Sequence, residues 1–409
     1  MEEKGARIAG FRVGFADDEG AAVAEEGEGA PLRVLVVAQL SGDAEVPRAA
    51  YPISRATLDA VMGALSPRLR VEVPTAPGRE RDLVFRRLKD LRPDALLAQC
   101  PELRAPAPPP AQSSLRNEAR ATDAIDALFD QVGMPGEEPP PSPRSAPRLV
   151  AESARPSALA EVIQSPPFRA LESAWRGVKL MVDQVDGLAG VHLAVASRSA
   201  GALDAEAVAA ALAAAHEAGF APIDLVVTDA VFEAEAASAE RLVACAEACA
   251  GELAVFVGVA APSWLAQPSL DALSRSQRRF TAIGDPRSVV ARSVAARDVS
   301  RWIALALNGP LVRAPYTRET SRLGRGEGDE EPSEAACVFA PASFAVAVAA
   351  ARSQGRLGWP TALAEDLALV DLLVREVGDG PFRLASPLQV FLPSSTAEAV
   401  AQAGVLALE

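Results

Sequence analysis

Strands alternating with Ala-rich helices predict an α/β fold: two modules packed together, their sheets mixed or largely parallel and covered by helices. Three observations carry that expectation. In the second half of the chain, apolar runs of strand length recur between helical stretches, as at 191–196 and 253–259. These runs are apolar throughout rather than alternating, the pattern of strands buried on both faces. Of 409 residues, 49% are hydrophobic but only 5% aromatic, so the cores are aliphatic and dense in small side chains.

Residues 1–30 are rich in Glu, Gly and Ala and read as a flexible N-terminus. The first module, 31–105, opens with a strand at 32–40 closed by Ser41, Gly42 and Asp43. A helix at 55–65 stops at Pro67, and a strand follows near 69–73. The stretch 82–91 brings Leu83, Val84, Leu88 and Leu91 to one side of a second helix. Alone, so small a module has a thin core. Residues 106–150 turn to Ala and Pro around a short polar helix near 116–131, and the prolines of 135–143 favour an extended linker.

The second module, 151–409, carries strands at 191–196, 223–228 and 253–259, with helices at 204–218 and 237–250 between them. A helix is expected over 288–308. An extended piece follows at 311–316, since the residue before Pro315 is pushed out of the helical region. The acidic, Gly-rich stretch 324–331 reads as a surface loop. A helix at 342–353, strand-like pieces at 367–374, 382–384 and 388–392, and a short helix before Gly404 complete the pattern. No internal repeat has a fixed period.

The most regular stretch begins at Pro166. Phe168, Leu171, Trp175, Val178, Val182 and Val185 recur at helical spacing, which places them on one side of a helix built to be buried. Pro166 and Pro167 suit its first turn. Glu172 and Arg176, four apart on another face, have the charge order that supports a helix by about 0.2–0.5 kcal/mol.

A formal charge of −14 argues against a nucleic-acid partner, because neutralising phosphates needs a positive surface. Lysine occurs only at Lys4, Lys89 and Lys179, so the positive charge is almost all Arg. No apolar stretch reaches the roughly 18 residues of a membrane helix, and no basic region leads into an apolar run at the N-terminus. A cytoplasmic protein without a membrane partner is therefore expected. Cys100, Cys245, Cys249 and Cys337 form no Cys-x-x-Cys pair, and Cys245 with Cys249 reads as a reduced pair in a helical core.

Catalytic signals are sparse. The lysines follow no Gly-rich loop, which excludes a P-loop, and neither a Gly-x-Ser-x-Gly elbow nor a His-Glu-x-x-His occurs. The spaced glycines Gly324, Gly326 and Gly328 lie among acidic residues that would repel a phosphate. His192 alternates with apolar neighbours like a strand residue, and His216 sits in an Ala-rich helix. Asp224, Asp229 and Glu233 cluster after a strand, where α/β sheets hold ligands, which keeps an enzyme or ligand-binding protein as a rival reading. No cofactor or metal is expected.

Phe168, Leu171, Glu172, Trp175, Arg176 and Gly177 resemble a signature of the large subunit of the bacterial type VI secretion contractile sheath. Further residues match that subunit in order: Trp302; Arg313, Pro315 and Tyr316; Gly358, Trp359 and Pro360; then Pro387, Val390, Gly404 and Leu408. The first module is similar to the start of the small sheath subunit through the strand after Pro31, Leu58 to Met62, Ser66, Pro67, Phe85 and Leu91 to Asp94. The resemblance implies a structural component with fused small- and large-subunit parts, mechanical in its work. Its partners would be copies of itself or other proteins of the apparatus. The small-subunit likeness fades after Arg104, and the large-subunit likeness stops at Leu408, where the family continues into its tube-facing segment. A non-polymerising sheath-like accessory is the alternative this implies.

Overall fold

The computed structural model describes residues 8–9, 30–73, 78–104, 157–275, 289–317, 320–321, 323, 336–358, 369, 371–377 and 384–408. The expected linker, the polar helix within it and the loop at 324–331 lie outside the described residues.

In chain order the elements are β1 (Ile8–Ala9), β2 (Leu32–Ala38), β3 (Ala50–Ile53), α1 (Leu58–Leu65), β4 (Arg68–Glu72), β5 (Glu80–Val84) and α2 (Pro93–Gln99). There follow α3 (Ala158–Gln164), α4 (Pro166–Val185), β6 (Val191–Ser197), α5 (Ala205–Glu217), β7 (Leu225–Phe232), α6 (Ala236–Ala250) and β8 (Val255–Ala260). The last third holds α7 (Leu270–Ser274), α8 (Val289–Ala295), β9 (Ile303–Leu307), β10 (Leu311–Arg313), β11 (Val338–Phe339) and α9 (Ala342–Leu357). It closes with β12 (Arg375–Val377), β13 (Leu384–Ser386), α10 (Ser394–Gln402) and β14 (Leu406–Leu408).

Eight strands make one sheet in the order β1-β14-β9-β8-β7-β2-β6-β3. Pairing is parallel from β14 through to β6 and antiparallel only at the two edges, where β1 meets β14 and β3 meets β6. Five neighbours, β6-β2-β7-β8-β9, have the sequential order 2-1-3-4-5 of a doubly wound sheet. The two halves of the chain interlock at its centre. β2, from the first half, pairs with β6 from Leu32↔Val191 to Ala38↔Ser197 and with β7 from Val34↔Leu225 to Val37↔Thr228.

Side chains alternate between two cores, as a strand period of two requires. Val34, Val36 and Ala38 of β2 enter one core with Leu193, Val257 and Leu406, while Leu35 and Val37 enter the other with Ala194, Phe256 and Ala407. The first core is covered by α1, α2, α3, α4 and α9, the second by α5, α6 and α10. The thin core expected of the first half is thus completed by α4 and α9 from the second. Helix α9 is buried on nearly every side, as its run of Ala, Val and Phe allows.

Some local expectations give way to pairing. The stretch 82–91 is not a helix: Glu80–Val84 pairs antiparallel with Arg68–Glu72, placing Leu83 opposite Leu69, and only Leu88–Leu91 winds into a 3-10 turn. Leu83 and Phe85 are buried at a spacing of two, whereas the helical reading put Leu83 on one side with Val84, Leu88 and Leu91. Likewise the helix expected over 288–308 breaks into Val289–Ala295, a 3-10 turn at Asp298–Trp302, and strand Ile303–Leu307 between β8 and β14. Short apolar runs do not distinguish strand from buried helix by periodicity alone. The strand-like piece at 388–392 forms only an isolated bridge, Leu388 to Pro310.

Candidate functional site

Helix α4 joins the two halves of the chain. Pro166 and Pro167 open it, and Phe168, Leu171, Trp175, Val178 and Val182 are all buried along one side, with Val185 partly so. Phe168 meets Phe85 of the first half edge-on, ring centroids 6.0 Å apart. Trp175 donates its indole N–H to the Leu40 carbonyl at 2.9 Å, just past the end of β2. On its opposite flank Ser173 Oγ donates to the Phe339 carbonyl at 2.6 Å, and Arg169 donates to that of Cys337. Gly177 permits the close approach of α9, since a Cβ there would lie 2.7 Å from Phe344 Cδ2.

The Glu172–Arg176 pair is not a surface support for the helix. Glu172 is fully buried and shared by two guanidinium groups: Arg176 Nε donates to Oε1 at 2.8 Å and Arg313 Nε to Oε2 at 3.0 Å. Arg176 Nη2 also donates to the Tyr316 hydroxyl at 3.0 Å, and the Arg313 guanidinium lies 4.5 Å above the Tyr316 ring centroid. Three motif residues, Arg176 from the same helix and Arg313 and Tyr316 from about 140 positions away, therefore converge on the buried carboxylate of a fourth, Glu172. Pro315, half-buried between Arg313 and Tyr316, holds this turn extended. A carboxylate taken out of water needs such partners, and losing one costs about 3–5 kcal/mol.

The remaining motif residues lie elsewhere. Trp302 is half-buried at the end of the 3-10 turn leading into β9 and makes none of these hydrogen bonds. Gly358 ends α9 at φ +69°, its N–H donating to the Gln354 carbonyl at 2.8 Å, a left-handed cap that favours glycine. Trp359 and Pro360 are outside the described residues.

The carboxylates Asp224, Asp229 and Glu233 do not converge. Asp224 accepts the Arg33 backbone N–H at 2.7 Å, and Glu233 accepts from Ser263 Oγ at 2.6 Å. Asp229 occupies the carboxyl ends of β2, β6 and β7, where such sheets leave a crevice. There it accepts Arg198 Nε at 2.8 Å and the Gln39 backbone N–H at 2.9 Å, while Arg198 is itself held by the Ser199 and Gly201 carbonyls. Asp229 is thus engaged by one guanidinium and one backbone N–H. Sequence reading named Asp229 but missed Arg198, because β6, which leads into Arg198, and β7, which carries Asp229, come to flank one another only across the inserted β2.

It also missed Asn308, which is buried and bonds the Val390 and Leu408 carbonyls and the Val390 N–H. Asn before Gly309 after an apolar run, a turn signal, was the available clue. Cys245 and Cys249 are buried in the second core, and burial pushes both thiols up to about 12. Among the described residues no group of His, Cys, Asp and Glu has the arrangement of a metal site.

Two family models match successive parts of the chain. A family model described as VipB: EvpB/VC_A0108, tail sheath N-terminal domain, matches residues 154–409. A second, T6SS_VipA, described as Type VI secretion system, VipA, VC_A0107 or Hcp2, matches residues 13–108. No curated protein matches the chain. The first match covers more than half of the sequence, and the VipA-like segment supplies the central strand of its sheet, so the chain belongs to the VipB tail-sheath family and is a fused structural component of a type VI secretion sheath.

Proposed function

We propose that this polypeptide acts as a one-piece sheath building block, its VipA-like part at 31–105 and its VipB-like part at 151–409 tethered through 106–150 and working as a single rigid body. The observation that carries this reading is the pairing of β2 with β6 on one side and β7 on the other. A strand so placed cannot leave without opening the sheet. Fusion keeps it near its site at an effective concentration on the order of millimolar. Helix α4, through Trp175 to Leu40 and Phe168 to Phe85, holds the two parts in fixed register, so that force reaching one is passed to the other. Its partners are copies of itself and other proteins of the apparatus, met in the cytoplasm. No described helix is long and apolar enough to cross a membrane.

Two experiments test this. Segments 1–150 and 151–409 produced separately should each be poorly soluble and should yield one stable complex when produced together; two independently folded pieces that do not associate would contradict the single rigid body. Negative-stain microscopy of the full chain, alone and with a tube protein of the apparatus, should show rings or tubes. Monodisperse small particles under both conditions would favour an accessory instead.

A further inference from the structure

A cavity of about 530 Å³ opens at the amino ends of β2 and β6, beside the end of α4. Its size lies within the range of about 300–1,000 Å³ typical of binding sites. Ile53, Val182 and Leu188 give it an apolar lining, and Arg33, Arg55, His192 and one carboxylate, Asp186, line it as well. Arg33 and His192 are side by side in the parallel register of β2 and β6. Arg55 is engaged by Asp183 at 3.5 Å and Asp186 at 3.1 Å, whereas no ion pair holds the Arg33 guanidinium among the described residues. In a chain of net charge −14, an unpaired guanidinium beside an apolar lining is complementary to an acidic segment that also carries apolar side chains.

The chain contains such a segment. Residues 14–29 include Asp17, Asp18, Glu19, Glu25, Glu26 and Glu28 together with Phe15 and Val23, and no Lys or Arg. They join the fold at Ala30, whose carbonyl accepts from Gln354 Nε2 at 3.0 Å; Leu32 then donates to the Gly190 carbonyl at 2.7 Å as β2 enters the sheet. The other end of the segment is fixed where β1 pairs with β14, so the stretch can project as a loop by up to about 30 Å, far enough to reach an adjoining molecule. We infer that the groove at the amino ends of β2 and β6 receives the acidic stretch 14–29 of a second copy of this chain. The inference rests on the sheath reading above, in which copies stand next to one another.

A labelled peptide of residues 14–29, titrated with the full chain and followed by fluorescence anisotropy, should bind saturably and lose affinity as salt rises. Arg33→Glu and the milder Arg33→Met should each weaken it at least tenfold, as should replacing the six acidic residues of the peptide by Asn and Gln; thermal unfolding checks that both variants are folded. Equal binding by both Arg33 variants overturns the groove. At concentrations where sedimentation shows wild type to be monomeric, a full chain lacking 14–29 should bind the peptide no more tightly than wild type; much tighter binding there would mean the chain's own segment occupies the groove, which overturns the second copy. In sedimentation, Arg33→Glu should reduce self-association. If wild type and Arg33→Glu assemble alike, the contact is wrong while the sheath reading stands; if wild type does not assemble even with its tube protein, both fall.

Discussion

The indole N–H of Trp175 reaches the backbone carbonyl of Leu40 at 2.9 Å, a buried hydrogen bond between positions 135 apart. Leu40 follows the strand that the first half inserts into the sheet, and Trp175 lies midway along the helix that covers it. One side chain thus bonds the VipA-like half to the VipB-like half.

Trp175→Phe retains most of the buried ring and removes the donor, leaving the Leu40 carbonyl without it. A loss of about 1–3 kcal/mol is expected. Trp175→Ala adds a cavity and should cost about 3–5 kcal/mol. Urea unfolding measures both, and the Phe variant unfolding at the wild-type midpoint would show that the bond contributes nothing.

Removing the carboxylate of Glu172 takes the counter-charge from the buried Arg313 and the part-exposed Arg176. Glu172→Ala should therefore cost about 3–5 kcal/mol, well above the few tenths expected of an exposed helical pair. The double variant Glu172→Met with Arg313→Met removes the most buried pair of charges, leaving Arg176 part-exposed and still bonded to Tyr316, and should recover part of that loss. A double-mutant cycle in urea decides: additive costs would mean that the two residues do not act on each other.

How far this was legible in the sequence depended on the range of the interactions. The stripe from Phe168 to Val182 has a local period, and its burial follows directly. The strands β6, β7 and β8 are apolar runs bounded by turns and stand close to their expected positions. Glu172 was misread because its spacing to Arg176 describes an ordinary surface pair, and nothing local signals that Arg313 will arrive from 141 positions away. The same holds for β2, whose seat between β6 and β7 is set by the closure of the whole sheet. Leu83 was placed on a helix because its neighbours fit both periods, and only the partner strand at Leu69 selects one. The family resemblance singled out Glu172 with Arg176 and Arg313 with Tyr316 as two separate matches, and nothing in it joined them.

Gly177→Ala should destabilise even though Ala is the better helix former by about 0.8–1.0 kcal/mol. The new methyl would meet Phe344 Cδ2 at 2.7 Å and Ala340 Cβ at 3.2 Å, and Phe344 is fully buried with nowhere to move. Overpacking of this kind costs about 1–3 kcal/mol and outweighs the helical gain. Adding Phe344→Leu to Gly177→Ala should restore part of the stability. A thermal midpoint for Gly177→Ala at or above wild type would show that α4 and α9 are less closely packed than the distances indicate.

Acid should loosen the first half through Glu102. Arg81 donates to both of its oxygens, at 3.0 Å from Nε and 2.7 Å from Nη2, and Arg79 Nη2 stands 3.1 Å away. These hydrogen bonds, the Arg81 pair foremost, hold the carboxyl down to about 2 from the ordinary 4.5. With the folded value below the unfolded one, the native state binds fewer protons than the unfolded chain between those limits. The contribution is complete above about 4.5 and is lost as pH falls towards 2. Solvent screens this partly exposed cluster, so the effect is modest and must be isolated by difference. Urea midpoints measured at pH 5.5, 4 and 3 should fall less steeply for Glu102→Gln than for wild type, because the variant has no proton to take up. Parallel slopes across that window would mean that Glu102 titrates alike in the folded and unfolded chain.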